Sequence, residues 1–403
     1  MKYNFNYMGR INDLITIPSA HKKIFITLFF TIFATITGVG IVVPLLPIYA
    51  SNMGAAGIYV GLIFGSFSLS RTLLLPYFGK LSDKNGRKPF IIAGLAGYSL
   101  VSLAFLMTST VSSLIVIRSL QGVASAMVMP VVQAYVGEIT NEGMEGQSMS
   151  LFNLSMFASL SIGPVMGGVI NDFWSLDAAF VCMGLLSSAG LALSLKYLPS
   201  IDHEYIKHKE SPNVQWSFIL KDIDLIGLFT YKFVYTGCIG IIWCFMPIFA
   251  QSKMPDISSS SIGILVTLGI FISGVLQLPM GYISDRFNRR LMVVFGGVIC
   301  SISMFMMFKS NSYFHLICSV SVFGIGGGIS MPPLMALTLI KGNEKCAMGS
   351  VMAIITVAHS LGMMVGSMGA GAAMDYFTLD SIFPCGAILM IIGVLLFVGL
   401  TSR

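Results

Sequence analysis

The chain has 403 residues, 55% of them hydrophobic and only 10% charged, with a mean hydropathy of +0.86. That composition excludes the two or three soluble domains that the length alone would suggest. The formal charge is +6, and its placement decides what it means.

Apolar stretches long enough to cross a bilayer, about 20 residues each, follow one another along the chain. They lie at roughly 24–50, 58–79, 90–108, 111–139, 148–171, 178–198, 224–250, 260–281, 291–308, 313–340, 348–372 and 380–401. Many contain Gly and Pro, which membrane helices tolerate. The prediction is an all-α membrane protein with twelve transmembrane helices. Residues 1–23 are polar, and the first apolar run is longer than a signal-peptide core, so no cleavable signal peptide is expected. With both termini cytoplasmic, nearly all Lys and Arg residues fall on the inner side; only Lys253 and Lys309 fall outside. Cytoplasmic loops are enriched in these residues. The basic balance therefore reflects topology and a multi-pass position in the cell membrane, and no nucleic-acid partner is implied. The seven cysteines lie in or beside apolar stretches without a CxxC pair, so neither a metal site nor a disulfide is expected.

After the second stretch comes GKLSDKNGRKP, Gly79 to Pro89, with an unusual density of charge. Gly79 allows a close helix approach, and Gly86 permits the turn. Asp83 is a carboxylate at the cytoplasmic surface, and Arg87 can pair with it and with Glu138 at the end of the fourth stretch. The fourth stretch carries RSLQGVASA from Arg118, the fifth SIGPVMGGVINDF from Ser161.

The longest polar interruption, 200–222, divides six stretches from six. Beyond it the chain repeats itself. GKLSDKNGRKP recurs as GYISDRFNRRL, so Gly79, Asp83 and Arg87 match Gly281, Asp285 and Arg289. NDFWSLDAAF recurs as MDYFTLDSIF, which pairs Asp172 with Asp375; Pro130 pairs with Pro332, and PIYA with PIFA. Matches in one order at a nearly constant offset indicate a tandem duplication. The expected organisation is a six-helix bundle at 1–199, a cytoplasmic linker at 200–222 and a second bundle at 223–403.

A duplicated six-plus-six arrangement is one that secondary transporters use. Over nearly its whole length the chain resembles the major facilitator superfamily, and within it the twelve-helix drug/metabolite:proton antiporter branch. Gly79 to Pro89 resembles that family's loop between helices 2 and 3. The resemblance implies that Asp83 faces the start of helix 11, near Ala347 to Ser350. Together with Arg87, Glu138 and the duplicate Gly281, Asp285 and Arg289, it would latch the halves on the inside. RSLQGVASA resembles the family's helix 4 pattern RxxQGxxxA, which points to Arg118 and Gln121. Gly163, Pro164, Gly167 and Gly168 resemble the helix 5 antiporter motif, although the upstream glycine of that motif is replaced by Ser159.

At membrane depth the sequence holds no carboxylate. Arg71 lies about eight residues, or roughly 12 Å, from the inner end of its helix; Lys232 lies similarly deep in helix 7, and His359 near the middle of helix 11. His359 shares a face with Gly362, Gly366 and Ala370. In the family that face abuts helix 2, so His359 is expected beside Arg71. With Arg118, these residues are the candidates for coupling. The substrate cavity is expected between helices 1, 4, 7 and 10, with Gln121, Tyr135, Tyr231, Phe233, Tyr235, Trp243 and Met246 among its lining. No phosphate-binding loop, HExxH or GxSxG motif is present. The chain is therefore not expected to be an enzyme or an ATP-driven pump, and no cofactor is expected.

Two functions follow. The first is proton-coupled efflux of drugs or small amphipathic metabolites by alternating access. The second is a carrier of an organic or lipid-like anion by exchange or uniport. The partners implied are a small amphipathic or anionic substrate, the lipid bilayer and protons, with the chain acting as a monomer.

Overall fold

The computed structural model describes residues 19–140, 145–199, 222–344 and 348–401. Among them it is helical, with twelve spans long and apolar enough to cross a membrane. The first span is built from α1 (Ser19–Val42) and α2 (Leu45–Asn52), with a break at Pro44. Proline lacks the N–H that would continue the ladder. The remaining spans are α3 (Gly57–Asn85), α4 (Arg87–Leu106), α5 (Val111–Ile139), α6 (Glu145–Phe173), α7 (Leu176–Tyr197), α8 (Ile223–Lys253), α9 (Ser259–Ser284), α10 (Arg289–Phe308), α11 (Tyr313–Glu344), α12 (Met348–Tyr376) and α13 (Ile382–Thr401). A 3-10 turn, Leu379–Ser381, precedes α13.

Several helix starts are set by local chemistry. Thr110 caps α5 through the backbone N–H of Ser113. The Asp222 carboxylate accepts from Asp224 and Leu225 at the head of α8, and Asn288 caps α10. Such side-chain acceptors satisfy first-turn donors that have no intrahelical partner. Gly86, at φ +86°, makes the tight turn between α3 and α4, a backbone region that favours glycine. The linker expected at 200–222 lies outside the described residues, apart from Asp222.

The two halves repeat one packing scheme. In the first, α1 packs on α6 and α7, α3 on α5, and α4 on α5 and α7. In the second, α8 packs on α12 and α13, α9 on α11, and α10 on α11 and α13. The halves meet through α3 against α12 and α6 against α9. One apolar core unites them: Ile41, Phe64 and Phe180 from the first half cluster with Phe249, Leu265 and Phe383 from the second.

Small residues allow the close approaches. A Cβ on Gly167 would collide with Ile41 O, and one on Gly163 would sit 2.8 Å from Thr37 O, so the helix 5 motif packs α6 onto α1. Gly362 and Gly366, which repeat Ser159 and Gly163, press on Phe233, Thr236 and Gly237 of α8. This corrects the expected partner of that face: it meets the seventh span, not the second. The second span instead meets Met364, Ser367, Met368 and Gly371 of α12. Symmetry explains the outcome, because α12 repeats α6 and α8 repeats α1.

Candidate transport cavity and its two ends

Between the halves lies a cavity of about 390 Å³. Its walls are mostly apolar and aromatic, with Phe64, Phe67, Tyr235, Trp243 and Phe323 among them. Tyr235 and Phe323 stack with ring centres 5.7 Å apart. The polar groups are few: Arg71, Arg118, Lys232, His359, Tyr98, Gln277 and a handful of hydroxyls. Among the described residues no Asp or Glu lines it.

The lining departs from the expected four helices. Spans 1, 4, 7 and 10 contribute, but so do α3, α4, α6, α9 and α12. Tyr235 and Trp243 face the cavity as expected; the five other candidates, Gln121 among them, do not. Tyr135 is fully buried and donates its hydroxyl to Pro199 O at 3.3 Å. Tyr231 packs edge-on against Phe397 at 5.5 Å. Phe233 stacks on Phe229, and Met246 lies in the core with no exposure. On a helix apolar on all sides, aromatic identity does not tell a cavity face from a core face.

Arg118 lines the cavity although only 3% exposed. Its NH1 donates to Gln121 Oε1 at 2.5 Å and its Nε to Ile63 O at 3.4 Å. The guanidinium also lies over the Phe64 and Phe67 rings, 5.1 and 4.7 Å from their centres. Gln121 is fully buried and acts behind the wall, holding Arg118. Arg71 and His359 line the same cavity from α3 and α12, and Lys232 from α8. His359 is close enough to feel the charge of both Lys232 and Arg71. Lys232 therefore faces the cavity and does not snorkel to the membrane surface.

At one end the cavity is closed by two matched contacts. Asp375, at the end of α12, accepts from Gly57 N at 2.6 Å and Ile58 N at 2.8 Å, the first donors of α3. Asp172, at the end of α6, accepts from Ser259 N and Ser260 N, both at 2.8 Å, at the start of α9. Asn171 adds a bond to Ser259 Oγ at 2.8 Å. Glycines bring these backbones together: a Cβ on Gly371 would collide with Gly57 O, and one on Gly168 with Ser259 O. The sequence pairs the two aspartates as duplicates, and each stands at the end of an apolar run. That signal was available, but it carried no partner.

At the other end, Arg87 pairs with Asp83 at 2.5 Å and with Glu138 at 2.7 Å, and donates to Ser82 Oγ at 2.7 Å. This network ties α3, the head of α4 and α5 within the first half. In the duplicate, Arg289 pairs with Asp285 at 2.9 Å. There Asp224 joins Lys341 at 2.8 Å and Arg290 at 3.7 Å, a pairing that repeat logic missed. Among the described residues a Cβ on Gly79 would meet nothing within 4 Å, and one on Gly281 only Pro332 of its own half. The contact expected between Asp83 and the head of α12 falls partly outside the described residues.

A helical chain duplicated about a central cavity, closed by equivalent contacts at one end, has the form of a membrane transporter and not of an enzyme. The chain belongs to the major facilitator superfamily: the model of that family, described as Major Facilitator Superfamily, matches residues 28–255 and again 233–403. An uncharacterised MFS-type transporter of Methanocaldococcus jannaschii is 28% identical over 377 residues, covering 92% of this chain and 96% of its own. Multidrug resistance protein 2 of Bacillus subtilis is 26% identical over 372 residues, covering 88% and 89%. The crystal structure of the nucleoside transporter NupG superposes with a TM-score of 0.79 at 12% identity, over 94% of this chain and 99% of that one. That last likeness is one of fold.

Proposed function

We propose that this transporter exports drugs or other small amphipathic compounds across the cell membrane by alternating access, driven by protons. The observation that carries the reading is the cavity of about 390 Å³, with aromatic and aliphatic walls and a few convergent polar groups. Sites of this kind suit small, largely apolar ligands, and Met129, Met156, Met331 and Met363 supply adaptable surface. The name of the Bacillus subtilis relative supports export, as does the helix 5 motif. For protons, the support is His359, the cavity group whose ordinary pKa is nearest neutrality.

In this reading the chain acts as a monomer whose bundles, 1–199 and 223–403, rock about the cavity, joined by a cytoplasmic linker at 200–222. The loops rich in Lys and Arg face the cytoplasm. The closed end with Asp172 and Asp375 is then the outer gate, and the structure is the state that receives substrate from inside. Asp83, Arg87 and Glu138, with Asp285 and Arg289, make the inner latch when the cavity turns outward.

The test is dye efflux from cells that lack their own exporters and express this chain. Energised cells should expel the neutral amphipath N-phenyl-1-naphthylamine faster than control cells, and an uncoupler should abolish the difference. Equal rates in both strains would overturn the export reading. Efflux that persists without a proton gradient would overturn the coupling.

A further inference from the structure

The cavity holds more positive charge than its own walls compensate. Three basic side chains, Arg71, Arg118 and Lys232, line it, and among the described residues no carboxylate does. Arg118 is accounted for by Gln121, Ile63 O and two aromatic rings. The other two are not. The Nε of Arg71 is buried without a hydrogen-bond partner, and among the described residues its guanidinium forms no ion pair. Among the described residues the Nζ of Lys232 has the Met331 thioether at 3.5 Å and the Tyr235 ring, whose centre lies 5.9 Å away, and no ion pair.

These two cations come from opposite halves, Arg71 from α3 and Lys232 from α8, and His359 feels the charge of both. Cations gathered in a low-dielectric chamber repel one another and call for an anion. Aromatic walls share the cavity with them: Phe64, Phe67, Trp243 and the stacked pair Tyr235 and Phe323, with Tyr235 beside Lys232. The cavity therefore offers basic groups and an apolar enclosure at once.

We propose that Arg71 and Lys232, with the imidazole of His359 beside them, form a binding site for the acidic group of an amphipathic organic anion. A carboxylate or sulfonate takes the planar fork of Arg71 and the ammonium of Lys232 together. The aromatic or alkyl body of the ligand fills the aromatic enclosure. The bound anion joins the two halves across the cavity, which links occupancy to their relative position. This inference rests on the transport reading and names the substrate class within it.

The experiment uses two dyes that share one arylaminonaphthalene body. 8-Anilino-1-naphthalenesulfonate carries a sulfonate, and N-phenyl-1-naphthylamine does not. Equilibrium binding is measured by calorimetry on the full chain in nanodiscs, with empty nanodiscs subtracted. The sulfonate should bind at least about tenfold more tightly, the range of a hydrogen bond to a charged group. Arg71→Gln and Lys232→Gln should each erase most of that preference, and Arg71→Lys should keep part of it. Binding of the neutral dye by each variant reports an intact cavity. Equal affinity for both dyes, or a preference that survives both Gln variants, would overturn the anion site and leave the export reading standing. Binding of neither dye would overturn both.

Discussion

Asp172 and Asp375 occupy the same place in the two half-repeats, and each caps the first turn of a helix in the opposite half. A helix N-terminus carries about half a positive charge and unpaired N–H groups. Each carboxylate satisfies two such donors, so each contact combines hydrogen bonding with a charge–dipole attraction. Ala56, the residue that precedes α3, supplies no side-chain cap of its own. The cap arrives from the other half, and it is lost when the halves part. Closure at this end is thus stabilised by interactions absent from the open form.

The double variant Asp172→Ala/Asp375→Ala should therefore favour opening at this end. Losing a cap costs about 1 kcal/mol each, so the pair should shift the equilibrium roughly 30-fold. Cys244, fully buried where α8 meets α3, with its thiol toward Val60 O at 3.5 Å, is a native reporter. In a chain that keeps Cys244 as its only cysteine, labelling by a membrane-impermeant maleimide should accelerate by that order. An unchanged rate would remove the gating role of the two aspartates.

Asp83→Asn should slow transport by at least about tenfold while membrane insertion stays normal. Arg87 keeps Glu138 and Ser82 in that variant, so the first half remains tied. What is lost is the charge of a half-exposed carboxylate at the end where, in the proposed mechanism, the halves must meet. Initial rates of dye efflux, normalised to the amount of folded protein in the membrane, measure it. Wild-type rates would return Asp83 to a topological role.

Arg118→Ala should abolish transport, because it removes a cavity charge and leaves the buried Gln121 Oε1 without the donor that Arg118 supplies. Arg118→Lys should retain part of the activity, roughly a tenth, since an ammonium lacks the planar fork and stacks poorly between Phe64 and Phe67. Transport assays of both variants decide it. Full activity in Arg118→Ala would make the arginine a packing residue.

His359→Gln should flatten or shift the pH dependence of transport between about pH 5.5 and 8, where histidine ordinarily titrates. The facing charges are Lys232 and Arg71, and neither is replaced. A profile identical to wild type would exclude His359 from coupling.

The fold was legible in the sequence because lipid imposes long apolar runs and because the duplication repeats its punctuation. Asp83, Arg87 and Glu138 could be paired in advance, since charged residues at helix ends have few partners within reach. The cavity was harder. Tyr235 and Tyr231 sit one turn apart on α8, yet one lines the chamber and the other packs on Phe397. In a helix apolar all round, the face turned to the cavity is chosen by neighbours far away in sequence. The closed end was visible only as two matching aspartates. Their targets are backbone N–H groups, which leave no mark in a sequence.

The central claim is that closure at the Asp172 and Asp375 end excludes closure at the Asp83 and Asp285 end. Spin labels on two pairs of exposed positions read both ends. Lys84 and Arg286 flank the loops at the Asp83 and Asp285 end, while Trp174 and Asp256 flank the contact between α6 and α9. Electron–electron double resonance should find the Trp174–Asp256 pair longer and the Lys84–Arg286 pair shorter in the Asp172→Ala/Asp375→Ala background than in wild type. Distances that stay fixed at one end while the other moves, or that lengthen at both ends together, would contradict alternating access in this protein.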